Sequence, residues 1–172
     1  MNRRLWMAGV GAAAAAAGAG LAWWRLRPGP SMSGAESAFW ASEFLGVRGE
    51  TVRMKAFSGR PLLVNFWATW CPPCVEELPL INQFHRQHAA AGWQVLGLAV
   101  DQAAPVGRFL ERLPLDFPVA LAGFAGTDLS RTLGNPSGAL PFSVVFGADG
   151  SIRHRKLGKL SADELAQWAQ LA

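Results

Sequence analysis

Apolar and polar positions divide the chain into three stretches. Leu5 to Trp24 runs for 20 residues without a charge. Pro28 to Gly34 reads Pro-Gly-Pro-Ser-Met-Ser-Gly, a breaker-rich linker. From Phe39 onward, short apolar runs alternate with helical patterns. Phe39–Phe44 and Thr51–Met54 read as short edge strands around Gly46–Gly49, and Ser58–Pro61 as a turn. Leu62–Trp67, apolar except for Asn65, predicts a strand buried on both faces. Val75–Ala90 predicts a helix with Leu78, Ile81 and Phe84 on one face; Pro79 inside it removes a helix hydrogen bond and predicts a kink. Gln94–Val100 is a second buried strand, ending at Asp101. Pro105–Arg112 reads as a helix and Phe117–Leu121 as a short strand. Thr127 or Asp128 then caps a short helix that Gly134 ends. Ser143–Phe146 and Ile152–Leu157 flank Asp149-Gly150, a hairpin signal. Ser161-Ala162-Asp163-Glu164 is a capping box opening a last helix through Leu171. The order β-α-β-α-β-α-β-β-α predicts an α/β fold with a central mixed sheet. No internal repeat is visible.

The N-terminal stretch changes the picture of where the rest works. Asn2-Arg3-Arg4 is a cationic start, and Trp6 and Trp23-Trp24 flank the apolar run. Twenty helical residues span about 30 Å, close to the hydrocarbon thickness of a bilayer. Indoles favour its interfaces. The run reads as an uncleaved membrane anchor. The rival reading is a cleaved signal peptide, for which the Ala/Gly stretch offers many small-residue sites. Both readings export the remainder. The expected organisation is residues 1–27 as signal anchor or signal peptide, 28–36 as linker and 37–172 as the folded domain.

Charge excludes one class of partner. The formal net charge is +4, with 16 Lys and Arg against 12 Asp and Glu. Arg3, Arg4, Arg25 and Arg27 account for the whole excess, leaving 12 of each sign. No basic stripe remains to track a phosphate backbone, so nucleic acid is not an expected partner.

Two cysteines are too few for a disulfide scaffold. One C-x-x-C with His85, His88 and His154 scattered elsewhere supplies no second half-site for zinc, and no metal is expected. His85 and His88 are spaced for one helix face and read as solvated. Haem attachment would need His after the second cysteine, where Val75 stands.

What remains is Trp70-Cys71-Pro72-Pro73-Cys74, placed between a buried-strand pattern and a helix. Two thiols at i and i+3 at a helix start can close a small disulfide ring. The helix N-terminus offers unpaired N–H groups and partial positive charge to the first sulfur. That lowers its pKa and makes Cys71 a nucleophile near neutral pH. Cys74 is then the resolving thiol. Pro72 and Pro73 are tolerated in a first turn and withdraw two N–H donors near Cys71.

The segment Asn65-Phe66-Trp67-Ala68-Thr69-Trp70-Cys71-Pro72-Pro73-Cys74 resembles the active-site strand and turn of the thioredoxin superfamily. It is most similar to the membrane-tethered TlpA/ResA-type thiol-disulfide oxidoreductases of bacteria. The resemblance covers about Phe39 to Ala172. It implies a thioredoxin-like fold with N-terminal strands and a helix-strand insertion around Ala103–Leu121. Pro79 falls where that family kinks its helix. Pro141 falls where the family carries a cis-proline, which implies a cis Leu140–Pro141 bond beside the dithiol. There the Leu140 backbone would pair with an extended substrate. Glu77 stands where the ResA branch keeps an acidic residue that modulates the cysteines. Thioredoxin itself has a buried aspartate where this chain has Asn65, which cannot take a proton; Glu77 is therefore the candidate base. Trp70 is expected to shield the site and meet partners, Trp67 to be core, and Asp101 to cap a loop.

The expected function is exported thiol-disulfide exchange without a cofactor, reducing selected protein disulfides. The resemblance suggests haem-site cysteines of apocytochrome c or copper-site cysteines of oxidase assembly as substrates. A membrane electron donor would regenerate the dithiol. The expected location is the bacterial inner membrane with the catalytic domain in the periplasm. A thiol peroxidase is a rival, but would want Thr and Arg beside its cysteine. A copper-binding chaperone is another; the two-residue spacing and Pro141 argue against it.

Overall fold

The computed structural model describes residues 32–170. The expectations for the apolar run and its flanking arginines, and for Leu171, lie outside these residues. Among the described residues no helix is long and apolar enough to cross a membrane.

The first element corrects the sequence reading. Phe39–Phe44 is not a strand: helix α1 covers Gly34–Ala41, and strand β1 begins only at Glu43 and ends at Gly46. α1 therefore starts inside the stretch read as linker. The cause is a capping box, in which Ser33 accepts from the Glu36 backbone while the Glu36 carboxylate accepts from that of Ser33. Phe39 is fully buried, the Trp40 indole N–H donates to the Gly150 carbonyl at 2.8 Å, and Glu36 accepts from the Ile152 N–H at 2.6 Å.

Strands β2 (Thr51–Arg53) and β3 (Leu62–Trp67) follow, then helix α2 (Pro72–His88). α2 starts three residues before the expected Val75, because Pro72 and Pro73 occupy its first turn, where a missing N–H costs nothing. Next come β4 (Gln94–Ala99), α3 (Ala103–Arg112), β5 (Val119–Leu121) and α4 (Gly126–Thr132). Neither Thr127 nor Asp128 caps α4. Both lie inside it, Ala125 holds the cap position, and Asp128 pairs instead with Arg131 at 2.9 Å. β6 (Phe142–Phe146), β7 (Ile152–Leu157) and α5 (Ala162–Ala169) complete the chain, α5 opening on the expected Ser161–Glu164 box.

The seven strands form one mixed sheet in the order β2-β1-β5-β4-β3-β6-β7. β3, β4 and β5 run parallel; β6 is antiparallel to β3, and β7 to β6. Every residue of β3 and β4 is buried, as central strands covered on both faces require. One apolar layer gathers Leu78, Ile81, Phe84, Phe109, Leu165 and Trp168 from the helices on its face. The other gathers Phe39, Trp40, Met54, Leu133 and the opposite faces of the strands. This topology brings the C-terminal ends of β3, β4 and β5 and the start of β6 to one edge of the sheet.

Candidate active site

The site is built at that edge. β3 ends at Trp67, which is fully buried as expected of a core residue. The chain then turns through Ala68–Cys71, closed by the Cys71 N–H on the Ala68 carbonyl at 3.3 Å. Asp101, just past β4, holds this turn from the next strand. Its carboxylate accepts from the Thr69 N–H at 2.9 Å and the Thr69 hydroxyl at 2.5 Å, and from the Gln102 N–H at 2.7 Å. Asp101 thus caps loops, as expected. Asp101→Ala would leave the half-buried Thr69 N–H and hydroxyl without this acceptor. It is expected to cost about 1–2 kcal/mol, read as a lower midpoint in urea unfolding.

Cys71 takes the N-cap position of α2 and Cys74 its third residue, and the two sulfurs are bonded at 2.04 Å. Cys71 is 5% exposed and Cys74 0%. Pro72 and Pro73 are exposed. Trp70, at 61% exposure, stands clear of the core beside them. A cap side chain is served by the N–H of the second or third helical residue. Here the second is Pro73, so the Cys74 N–H alone is left for the Cys71 sulfur.

One helical turn beyond Cys74 lies a buried titratable group. Glu77 is 1% exposed. Being three residues after Cys74, it shares that cysteine's helix face, with Cβ atoms about 5–6 Å apart. Its carboxylate accepts from the Asn65 amide at 2.7 Å and from the Leu160 N–H at 2.7 Å. Burial pushes its pKa above the ordinary glutamate value; the two hydrogen bonds and Lys159 pull the other way and do not win. The Asn65 amide also donates to the Ser143 hydroxyl at 2.9 Å, across the β3–β6 register, while its carbonyl oxygen has no partner. Glu76, by contrast, faces solvent and pairs with Lys159 at 2.8 Å.

The Leu140–Pro141 bond is cis. Pro141 is buried, and Leu140 packs against both apolar layers, one of which contains Cys71 and Cys74. The sequence-predicted residues Trp70, Cys71, Pro72, Pro73, Cys74 and Glu77 are thus brought together by one turn and one helix, with Leu140 packed onto the same layer. Ser143, Leu160 and Thr69 were not predicted. Ser143 had a signal, a polar residue inside an otherwise apolar strand. The Leu160 N–H had none, since any residue supplies one.

His85 and His88 are not a solvated pair. Both are half-buried, His88 on the Phe84 ring at 4.6 Å and His85 against Phe117 at 6.1 Å. No cluster of three potential metal ligands occurs among the described residues.

The family model described as Redoxin matches residues 32–170. The chain belongs to the Redoxin family. Within that family it is similar to the thiol-disulfide oxidoreductase ResA of Bacillus cereus, 29% identical over 125 residues, 72% of this chain and 70% of that protein. ResA of Geobacillus thermodenitrificans is 27% identical over 124 residues, 70% of this chain and 68% of that protein. A solved structure of a thiol:disulfide interchange protein DsbE from Chlorobium tepidum superposes with a TM-score of 0.66 at 27% identity, covering 76% of this chain and 89% of that one. A thioredoxin-related protein from Neisseria meningitidis gives 0.68 at 27%, covering 75% and 97%. This Redoxin protein therefore has the thioredoxin-like fold, is ResA/TlpA-like, and is a thiol-disulfide oxidoreductase with Cys71 and Cys74 as its redox pair.

Proposed function

We propose that this protein is a selective disulfide reductase held on the outer face of the bacterial inner membrane. The observation that carries the reading is the asymmetry of the pair. Cys71 lies at a helix start on the sheet edge, while Cys74 is sealed behind it next to a buried carboxylate. The Cys71 thiolate attacks one sulfur of the target disulfide and displaces the other as a thiolate, giving a mixed disulfide. Glu77 takes the proton of Cys74, and the Cys74 thiolate attacks Cys71. The second target thiol leaves, and the Cys71–Cys74 bond forms. Two electrons pass from the dithiol to the target, and a membrane electron donor restores them.

The apolar residues 5–24 support export and tethering. An exported dithiol works where disulfides form and persist, so one tethered pair suits reduction of chosen substrates. The resemblance to the ResA and TlpA branch supports apocytochrome c haem-site cysteines or copper-site cysteines as those substrates.

A Cys74→Ser variant of the full chain tests the proposal in intact cells. It is expected to accumulate mixed disulfides in the carbonate-washed membrane fraction, with Met1 retained. Mass spectrometry should place Cys71 on cysteines of an exported cytochrome or copper-site protein. Adducts only with cytosolic proteins would overturn the reading. A mature N-terminus between Ala12 and Trp23 would replace the anchor by a cleaved signal.

A further inference from the structure

Among the described residues five large apolar side chains are exposed: Met32, Leu45, Trp70, Phe124 and Leu157. Single exposed apolar residues are ordinary. Four of these, however, share one end of the sheet with the dithiol, Leu45 being paired with Leu121 at the end of β5. Leu157 ends β7, paired with Phe142 beside Pro141. Trp70 precedes Cys71. Phe124, the most exposed at 67%, lies in the loop between β5 and α4.

The strand ends set where the Trp70 and Phe124 loops begin. The Val100 N–H donates to the Trp67 carbonyl at 2.8 Å, and the Ala122 N–H to the Ala99 carbonyl at 2.9 Å. The parallel strands therefore leave the sheet level with one another. Trp70 is three residues beyond its strand end, and Phe124 three residues beyond Leu121. Neighbouring strands are about 4.8 Å apart, so β3 and β5 are separated by about 10 Å. Between their loops lies the Thr69–Asp101 latch, whose carboxylate is satisfied by three donors. The nearby charges are also spoken for: Asp128 pairs with Arg131, and Lys159 with Glu76. Beside the exposed Gln102, this end of the sheet offers a partner the apolar side chains of Trp70, Phe124, Leu45 and Leu157.

We propose that Phe124 is a specificity contact for the polypeptide whose disulfide Cys71 attacks, receiving an apolar side chain of that polypeptide two or four residues from its reacting cysteine. The proposal rests on the reading of Cys71 as the attacking thiol and names what that thiol prefers. The spacing follows from chain geometry. An extended segment advances about 3.3 Å per residue, and only even steps return a side chain to the same face. With its cysteine held at Cys71, its second and fourth neighbours fall about 7 and 13 Å away, on either side of the strand separation.

The test uses the full chain in its reduced form and serine/glycine-rich peptides carrying one disulfide. One set has phenylalanine at the second or fourth residue from a cysteine; the control has serine there. Glutathione disulfide, which carries no apolar side chain for Phe124 to receive, is the reference. The unsubstituted protein is expected to reduce the better phenylalanine peptide roughly tenfold faster than the serine peptide, each rate divided by that for glutathione disulfide. Phe124→Ala should bring that ratio below about twofold. Met32→Ala, at the opposite sheet edge against Gly150, should keep it. No preference in the unsubstituted protein, or an undiminished one in Phe124→Ala, overturns the proposal. Failure to reduce even glutathione disulfide would count against Cys71 exchange itself, a different result.

Discussion

Cys71→Ser is expected to abolish thiol-disulfide exchange, bringing the rate to that of the uncatalysed reaction. Cys74→Ser is expected to react once and stall. Both residues lie in the same four-residue ring, so the difference comes from access and field. Cys71 keeps 5% exposure, while Cys74 is fully buried. Cys71 also stands at the N-cap position of α2, where the helix dipole favours a thiolate, although in the disulfide form its side chain makes no cap hydrogen bond to the Cys74 N–H. With Pro72 and Pro73 in the first two helical positions, that N–H is the one donor left among the first three, so the stabilisation is weaker than an ordinary helix start would give. Iodoacetamide labelling of the reduced protein below neutral pH measures this directly. Cys71 should react first, over a pH range set by its own thiolate. Faster labelling of Cys74 would reverse the assigned order. Exchange by Cys71→Ser at the parental rate would remove Cys71 from the reaction.

The dithiol was legible in the sequence because its chemistry is local. A buried-strand run, a tryptophan, two cysteines at i and i+3 and two prolines are consecutive, and a helix start follows from them. Most core elements were legible for a similar reason: β3 and β4 are apolar at nearly every position because both faces are covered. The first helix was missed although Ser33 and Glu36 form the same box that identified α5 at Ser161 and Glu164. The aromatic run Phe39-Trp40 outweighed it, since aromatics favour strands locally. In the fold those rings are buried from a helix, and Trp40 is tied to Gly150, 110 residues away. No local pattern reports such a contact. The cap of α4 failed in a related way: Asp128 has the chemistry of a cap but pairs with Arg131 inside the helix. Around the site, Glu77 was singled out through the resemblance, because it stands where the ResA branch keeps an acidic residue. Its partners were not, because Asn65 and the Leu160 N–H reach it only when β3 and the β7–α5 loop are packed against α2, and Ser143 joins through Asn65 only when β6 lies beside β3.

Glu77→Gln should change the pH response of this protein twice, and the two effects separate its roles. The first is on stability. Burial raises the folded-state pKa of Glu77 above the ordinary value of 4.5, so the folded protein holds that proton more tightly than the unfolded chain. The associated stability is complete below the ordinary value and is lost as pH rises through the folded value. Glutamine mimics the protonated acid and removes this loss. Turning the Asn65 carbonyl oxygen toward the new amide keeps that contact but moves the Asn65 NH2 to the buried place where the oxygen had no partner, a cost that does not vary with pH. The variant, compared with the parent in urea unfolding of the oxidised form, should therefore gain ground as pH rises above 4.5. The second effect is on turnover. A buried carboxylate on the face of Cys74 can accept its proton when the mixed disulfide must be resolved, and glutamine cannot. Loss of a general base typically costs two or more orders of magnitude, so resolution should slow by roughly 100-fold at neutral pH. The attack by Cys71 should be affected far less. Removing the negative charge should also let the thiols ionise at lower pH, which thiolate absorbance would register. Glu76→Gln supplies the comparison, since Glu76 is exposed and meets only Lys159. If the two variants share the parent's thiolate titration and resolution rate, Glu77 is a structural acceptor for Asn65 and Leu160, and the proton of Cys74 leaves by another route.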